Sequence, residues 1–318
     1  MQLLINIVFI ILGAAVVLWG ADRLTGGAVA LAERMHLSQM VIGLTIVALG
    51  TSMPEFFVSL TSALKGTTDM AVGNVVGSNI FNALLIVGCA AVVAPMTIMR
   101  STVTKDIPFA LFASLILLLM CINGNISRLD AAILVAVLFL FFYVSFKGAK
   151  ETQADDNLQS AEEEQPSSPI WKALLYVVLG LTGLIIGSNI FVDHAAGLAK
   201  QLGMSEAVIG LTIVAGGTSL PELATSIVAA RKGSSGIAIG NVLGSNVMNI
   251  LFILGLTGLI SPMQIQGITW TDFSMLGISM LLLWLFSFTK LKVERWEGVV
   301  LTALYLGYLA WLLYNVWY

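Results

Sequence analysis

The chain has 318 residues, of which 58% are hydrophobic and only 10% charged, and its formal net charge is −3. Its mean hydropathy is +0.95. Soluble domains hold about 25% charged and 45–50% apolar residues, so the composition excludes a soluble globule and points to a chain built for lipid.

A helix needs about 20 apolar residues to cross a hydrocarbon core about 30 Å thick. Such runs lie near 3–20, 41–64, 71–95, 107–122, 129–147, 171–190, 208–231, 236–261, 271–289 and 296–317, which predicts an all-α integral membrane protein of about ten spans. Glycines interrupt the second, third, seventh and eighth runs, and the fourth is short. The runs are continuous rather than alternating with period two, which argues against a closed barrel. The first, MQLLINIVFIILGAAVVLWG, lacks a basic n-region and an obvious A-x-A-like site, so it reads as a permanent helix rather than a signal peptide. Cys89 and Cys121 have no metal-ligand spacing and are expected to be small buried hydrophobes.

Residues 148–169, GAKETQADDNLQSAEEEQPSSP, form the one substantial polar stretch. Its acids lack the alternating order and central Gly of an EF-hand, and it is expected to be a solvated, disordered linker. It separates 1–147, with spans 1 to 5, from 170–318, with spans 6 to 10. Taking alternate connections as one side, that side collects Arg23, Arg34, Arg100, Lys105, Lys147, Lys150, Lys172, Arg231, Lys232, Lys290, Lys292 and Arg295, against Lys65, Arg128 and Lys200 on the other. By the positive-inside rule the rich side, with the linker, is cytoplasmic and both termini are outside.

Gly43–Gly88 reads GLTIVALGTSMPEFFVSLTSALKGTTDMAVGNVVGSNIFNALLIVG, and Gly210–Gly255 reads GLTIVAGGTSLPELATSIVAARKGSSGIAIGNVLGSNVMNILFILG. The two align without a gap, roughly 26 of 46 positions being identical, as expected of an internal duplication. About five spans separate corresponding points. An odd number turns the second copy upside down, giving two inverted five-helix repeats, an architecture suited to alternating access.

Within each copy lies the same short motif, GTSMPE at 50–55 and GTSLPE at 217–222. Pro54 and Pro221 cannot donate an N–H, so the carbonyls of Gly50 and Gly217 lose their helical partners. Thr51, Ser52, Thr218 and Ser219 add hydroxyls, and Glu55 and Glu222 follow at i+4 and i+3, on the same face. The second cluster, GNVVGSNIFN at 73–82 and GNVLGSNVMN at 240–249, places Ser78 with Asn82 and Ser245 with Asn249, four apart on one helix face. The small pairs Gly73–Gly77 and Gly240–Gly244 permit close helix contact. Folding the halves together would gather an all-oxygen site suited to hard cations. An acid at the bilayer centre costs about 2.5–3.5 kcal/mol on insertion scales. Since no basic residue is evident within the spans to neutralise Glu55 and Glu222, a mobile cation is the expected partner. Their two charges balance one Ca2+ or two Na+, and neutral ligands can host a further Na+.

These two segments resemble the alpha-repeats of the cation/calcium antiporter superfamily, in particular its prokaryotic-type sodium/calcium exchanger branch with GTSxPE and GSNxxN signatures. The direct match covers about 90 residues, and the ten-span layout extends it over the chain. The GNxxE-like signature typical of the proton-coupled branch is missing. The resemblance implies that Glu55 and Glu222 are central ligands shared by calcium and sodium. By the same resemblance Thr51 and Thr218 turn backbone carbonyls to calcium. Ala48, Ser52 and Ser78 then form one peripheral sodium site, Ala215, Ser219 and Ser245 its twin, and Asn82 and Asn249 line the middle. Potassium-dependent relatives carry an acid at the position of Asn249, so the asparagine implies potassium independence. The implied activity is electrogenic exchange of three Na+ for one Ca2+, with spans 1 and 6 sliding over the cation-binding bundle.

A Ca2+/H+ antiporter is the competing expectation, since carboxylates can exchange cations for protons. A passive channel is a further one, though an inverted site within one chain does not suit a continuous symmetric pore. No HExxH or nucleophile elbow is present, and His36 and His194 are too isolated for a dyad, so no enzyme is expected. No cofactor and no nucleic-acid partner are expected either, and the chain is read as a monomer in the cell membrane.

Overall fold

Residues 2–156, 169–203, 213, 215–288 and 290–317 are described by a computed structural model, and most of them are helical. In chain order the helices are α1 (Gln2–Arg34), α2 (Gln39–Thr51), α3 (Met53–Leu64), α4 (Thr68–Val93), α5 (Thr102–Cys121), α6 (Arg128–Asp156), α7 (Ile170–Gln201), α8 (Ala215–Thr218), α9 (Leu220–Arg231), α10 (Ser235–Ile260), α11 (Trp270–Phe288) and α12 (Arg295–Trp317). Among the described residues eight helices are long and apolar enough to cross a membrane, and the bent pair α2–α3 makes a ninth span. The expected span at 208–231 is represented by α8 and α9, because residues 208–212 and 214 lie outside the described residues.

Two expectations need correction. Helices α1 and α7 are 33 and 32 residues long, well beyond the apolar runs that announced them. At 1.5 Å per residue each reaches about 50 Å, longer than the hydrocarbon core is thick. Residues 148–156 were expected to open the disordered linker, yet α6 continues as helix to Asp156. Extending a helix needs no new nucleus, and Ala149, Lys150, Glu151 and Gln153 are good helix formers. Residues 157–168 lie outside the described residues. Of the two cysteines Cys121 is buried, whereas Cys89 is only half-buried.

The motif prolines shape the middle of the bundle. Helices α2 and α3 meet at Ser52, whose φ of −82° and ψ of 6° depart from helix geometry, and the pair bends by 47°. Ser219 breaks α8 from α9 in the same way, with φ −88° and ψ 9°. Pro54 and Pro221 then fall in the first turns of α3 and α9, where a missing N–H leaves no ladder bond unmade.

Helices α4 and α10 form the centre, 72% and 94% of their spanning windows being buried, against 22% for α1. Both wind into π turns past their midpoints, at Phe81–Ile86 and Asn249–Leu254. At the ends of the bundle β1 (Met96–Thr97) pairs with β4 (Lys292–Val293), and β2 (Asn125–Ile126) with β3 (Met263–Gln264), both antiparallel. Each pair joins a residue from one half of the chain to one from the other, as in Met96↔Val293 and Ile126↔Met263.

Helices α1 and α7 lie against each other along their length. A Cβ on Gly20 would stand 2.7 Å from the Leu184 backbone nitrogen, and one on Gly180 would stand 2.5 Å from that of Leu24. Both helices also carry exposed apolar side chains, including Leu12, Trp19, Tyr176 and Val178, as expected of a lipid-facing layer. The layer is tied to the bundle by Lys232, whose Nζ lies 2.6 Å from Oδ1 of Asp22 on α1.

The glycine contact predicts a contrast within one helix. Gly20→Ala overpacks a backbone-to-backbone seam and should destabilise the purified protein by about 1–3 kcal/mol. Gly26, beside open space, should accept alanine with no loss, because alanine is the better helix former. Thermal unfolding of the two variants side by side checks the difference.

Candidate functional site

The breaks at Ser52 and Ser219 bring the two acids into one buried cluster. Glu55 and Glu222 sit in the first turns of α3 and α9 and are each 1% exposed. A helix N-terminus carries partial positive charge, which offsets some of the cost of an anion there. The serine of each break then crosses to the acid of the other half: Ser52 Oγ donates to Oε1 of Glu222 at 3.0 Å, and Ser219 Oγ donates to Oε1 of Glu55 at 2.8 Å. Ser78 Oγ lies 3.2 Å from Ser219 Oγ. Since Ser219 gives its one proton to the carboxylate, Ser78 is the donor in that contact.

Helices α4 and α10 support these acids from behind. Asn74 donates through Nδ2 to the Glu55 carbonyl at 3.2 Å and to Ser59 Oγ at 3.0 Å. Asn241 does the same for Glu222 at 3.3 Å and Ser226 at 3.0 Å. Thr51 Oγ1 lies 3.0 Å from Asn241 Oδ1 and 3.3 Å from the Ala48 carbonyl. Further along the same two helices, Asn82 donates to Oδ1 of Asn246 at 3.0 Å, and Asn249 donates to Oδ1 of Asn79 at 2.9 Å.

What these bonds leave over defines the chemistry. Among the described residues, Glu55 Oε2, Glu222 Oε2, Asn82 Oδ1, Asn249 Oδ1 and Ser245 Oγ are buried and find no hydrogen-bond partner. Four of the five can only accept (the hydroxyl can do both), and buried polar groups of this kind are ordinarily satisfied. Among the described residues no ion pair involves Glu55 or Glu222, and no three His, Cys, Asp or Glu side chains cluster as a metal site. The donor set is two carboxylates with neutral amide and hydroxyl oxygens, which suits hard cations such as Na+ and Ca2+ and not thiophilic ones.

The structure thus brings together Glu55, Ser219 and Ser78, and separately Glu222 and Ser52, with Thr51 bonded through Asn241. Asn82 and Asn249 are each 1% exposed, and Ser245 is fully buried. Ala48 is buried and its carbonyl accepts from the Ser52 N–H at 3.0 Å. Thr218 is half-buried and closes α8, which Ala215 opens. Four residues of the cluster were passed over in the sequence: Asn74, Asn79, Asn241 and Asn246. The signal was there, since every asparagine of GNVVGSNIFN recurs in GNVLGSNVMN.

Known proteins resemble the chain over nearly its whole length. The family model described as sodium/calcium exchanger protein matches residues 5–147 and 172–314. The chain is 36% identical to inner membrane protein YrbG of Escherichia coli (strain K12) over 321 residues, covering 99% of this chain and 98% of that protein. It is 34% identical over 347 residues to sodium/calcium exchanger MaX1 of Methanosarcina acetivorans, covering 98% and 99%. Among solved structures, the sodium-calcium exchanger NCX_Mj soaked with zero Na+ and Ca2+ superposes with a TM-score of 0.83 at 29% identity, over 98% of this chain and 99% of that one.

The supporting amides yield a stability prediction. Asn74→Ala and Asn241→Ala each strip a donor, half-buried at 74 and fully buried at 241, from a backbone carbonyl and a serine. Each should destabilise the ion-free protein by about 1–3 kcal/mol, measured by thermal unfolding in choline buffer with a calcium chelator.

Proposed function

Because the chain belongs to the sodium/calcium exchanger family, we propose that it carries three Na+ against one Ca2+ through a single buried site built on Glu55 and Glu222. That it is a multi-span, exchanger-type antiporter follows from the family and is not part of the proposal. The observation that carries the proposal is the pair of crossed serine–glutamate bonds, each of which leaves one carboxylate oxygen buried and, among the described residues, unmatched.

In this reading Glu55 and Glu222 ligate both ions. Thr51 and Thr218 offer their carbonyls to Ca2+. Ser52, Ser78 and Ala48 make one Na+ site, Ser219, Ser245 and Ala215 the other, and Asn82 and Asn249 face the middle. Two carboxylates neutralise one Ca2+, whereas three Na+ bring one charge more, so each cycle moves one net charge. That charge is worth about 2.3 kcal/mol per 100 mV, so membrane voltage drives the exchange as well as the Na+ gradient. Asn249, neutral and not acidic, supports exchange without potassium.

The two halves, 1–147 and 170–318, are read as inverted repeats on either side of the 148–169 linker. Several contacts support this, because they recur when both partners are exchanged for residues 167 further on or back. Ser52–Glu222 and Ser219–Glu55 are such twins, and so are the strand pairs Met96↔Val293 and Ile126↔Met263. Alternating access is assigned to the α1–α7 layer, which rests on both broken helices. A Cβ on Gly50 would meet Leu181 of α7 at 2.5 Å, and one on Gly217 would meet Val192 of the same helix. The protein is placed as a monomer in the cell membrane, with the linker cytoplasmic and both termini outside.

Sodium-loaded proteoliposomes diluted into sodium-free buffer should take up radioactive calcium. Equimolar sodium outside should abolish uptake, added potassium should leave it unchanged, and a positive-inside potential should speed it, because three Na+ leaving for one Ca2+ entering carry one net positive charge outward. Glu55→Gln and Glu222→Gln should each reduce uptake to the level of empty liposomes. Uptake that follows an imposed pH gradient and ignores sodium would overturn the assignment of the coupling ion.

A further inference from the structure

We infer that Asn79 and Asn246 are positioning residues that lock the amides of Asn82 and Asn249, so that the carbonyl oxygens of the latter face the transported cation. The inference rests on the cation-site reading given above. An asparagine amide can be turned over at little steric cost, exchanging an acceptor for a donor. A cation site lined by amides therefore needs something that forbids the flip.

Two backbone carbonyls supply it, because a carbonyl oxygen can only accept. Nδ2 of Asn79 lies 3.1 Å from the Asn246 carbonyl, and Nδ2 of Asn246 lies 3.3 Å from the Asn79 carbonyl. Turning either amide over would press two oxygens together. Asn246 is held further by Met280, whose Sδ takes its Nδ2 at 3.3 Å. With their NH2 groups fixed, the Oδ1 atoms of Asn79 and Asn246 must point the other way, and they too can only accept.

That settles the next pair. Asn82 meets Oδ1 of Asn246 at 3.0 Å and must offer Nδ2 there; Asn249 meets Oδ1 of Asn79 at 2.9 Å and must do the same. Their own Oδ1 atoms are left on the opposite side, buried and without a partner among the described residues. Asn82 and Asn249 follow Ser78 and Ser245 by four residues, so each shares a helix face with its serine. On one of these faces Ser78 reaches the Ser219–Glu55 pair. All four asparagines are at most 1% exposed, so no solvent competes for the lock. If the lock were absent, Asn82 or Asn249 could turn an NH2 toward the cation, a donor where an acceptor is required.

The test exploits the fact that aspartate has nothing to flip. Calcium affinity would be measured by isothermal titration calorimetry with CaCl2 on the purified full chain in sodium-free detergent buffer. The four proteins of one cycle are the parent, Asn79→Leu, Asn249→Asp and the double variant. Asn79→Leu should weaken Ca2+ binding at least about tenfold in the parent, the scale set by losing one well-made hydrogen bond to a charged group. In the Asn249→Asp background the same change should have no effect or should strengthen binding, because both oxygens of an aspartate serve the ion. An equal loss in both backgrounds would overturn the inference and make Asn79 a structural residue. The twin cycle, Asn246→Leu with Asn82→Asp, decides the question in the same way if Asn79→Leu does not purify as a folded protein. A parent that binds no Ca2+ would instead sink the cation-site reading, which keeps the two failures apart.

Discussion

Glu55 and Glu222 are each 1% exposed, and among the described residues neither has a basic side chain in ion-pair contact. Burying an ionised carboxylate without a partner is among the most expensive things a fold can do. Much of the surrounding architecture can be understood as meeting that expense in part and leaving the remainder for a cation. The broken helices place each acid at a helix N-terminus, where the backbone field favours negative charge. The crossed serines satisfy one oxygen of each acid. Among the described residues the second oxygen finds no partner, and a fully satisfied carboxylate would have little to offer an ion. In the proposed reading partial satisfaction is the functional condition: enough support to hold two anions in apolar surroundings, too little to make them indifferent to Na+ or Ca2+.

Much of this was legible in the sequence because its causes are local. Hydrocarbon thickness sets the length of an apolar run, so α4, α10 and α12 could be placed from the residues alone. Pro54 and Pro221 signalled the interrupted helices, since a proline within an apolar run cannot be silent. The acids announced themselves by their expense, twice. Other features depend on the fold and were hidden. That Ser52 serves Glu222 and not the nearer Glu55 follows from the packing of two halves far apart in sequence. The asparagines at 74, 79, 241 and 246 stand within the motif yet were passed over, because an amide in a helix tells nothing of what it will face. The reach of α1 to Arg34 and of α6 to Asp156 was hidden for another reason. Polar residues past the membrane boundary end the hydropathy signal without ending the helix.

The same contacts bear on which part of the molecule can move. Within the α1–α7 layer the ties are many: backbones meet at Gly20 and Gly180, Asn6 Oδ1 lies 3.0 Å from His194 Nδ1, and Phe9 stacks on the His194 ring at 4.5 Å. Separating α1 from α7 would undo all of these at once, so in the proposed alternation the pair would shift as one body. Within the central bundle the asparagine lock and the crossed serines are buried, and breaking them would strand polar atoms. Between layer and bundle the described polar tie is of another kind. The Lys232 and Asp22 side chains are 39% and 51% exposed, and an ion pair so exposed contributes only about 0–1 kcal/mol. Where Leu181 and Val192 of the layer cross the broken helices, they meet glycines, which offer no side chain to interlock. On the proposed mechanism, this smooth apolar seam between two well-bonded bodies is where displacement would be cheapest. It passes over Gly50 and Gly217, so in the proposed alternation motion along it would cover or uncover the acids while leaving their own bonds in place.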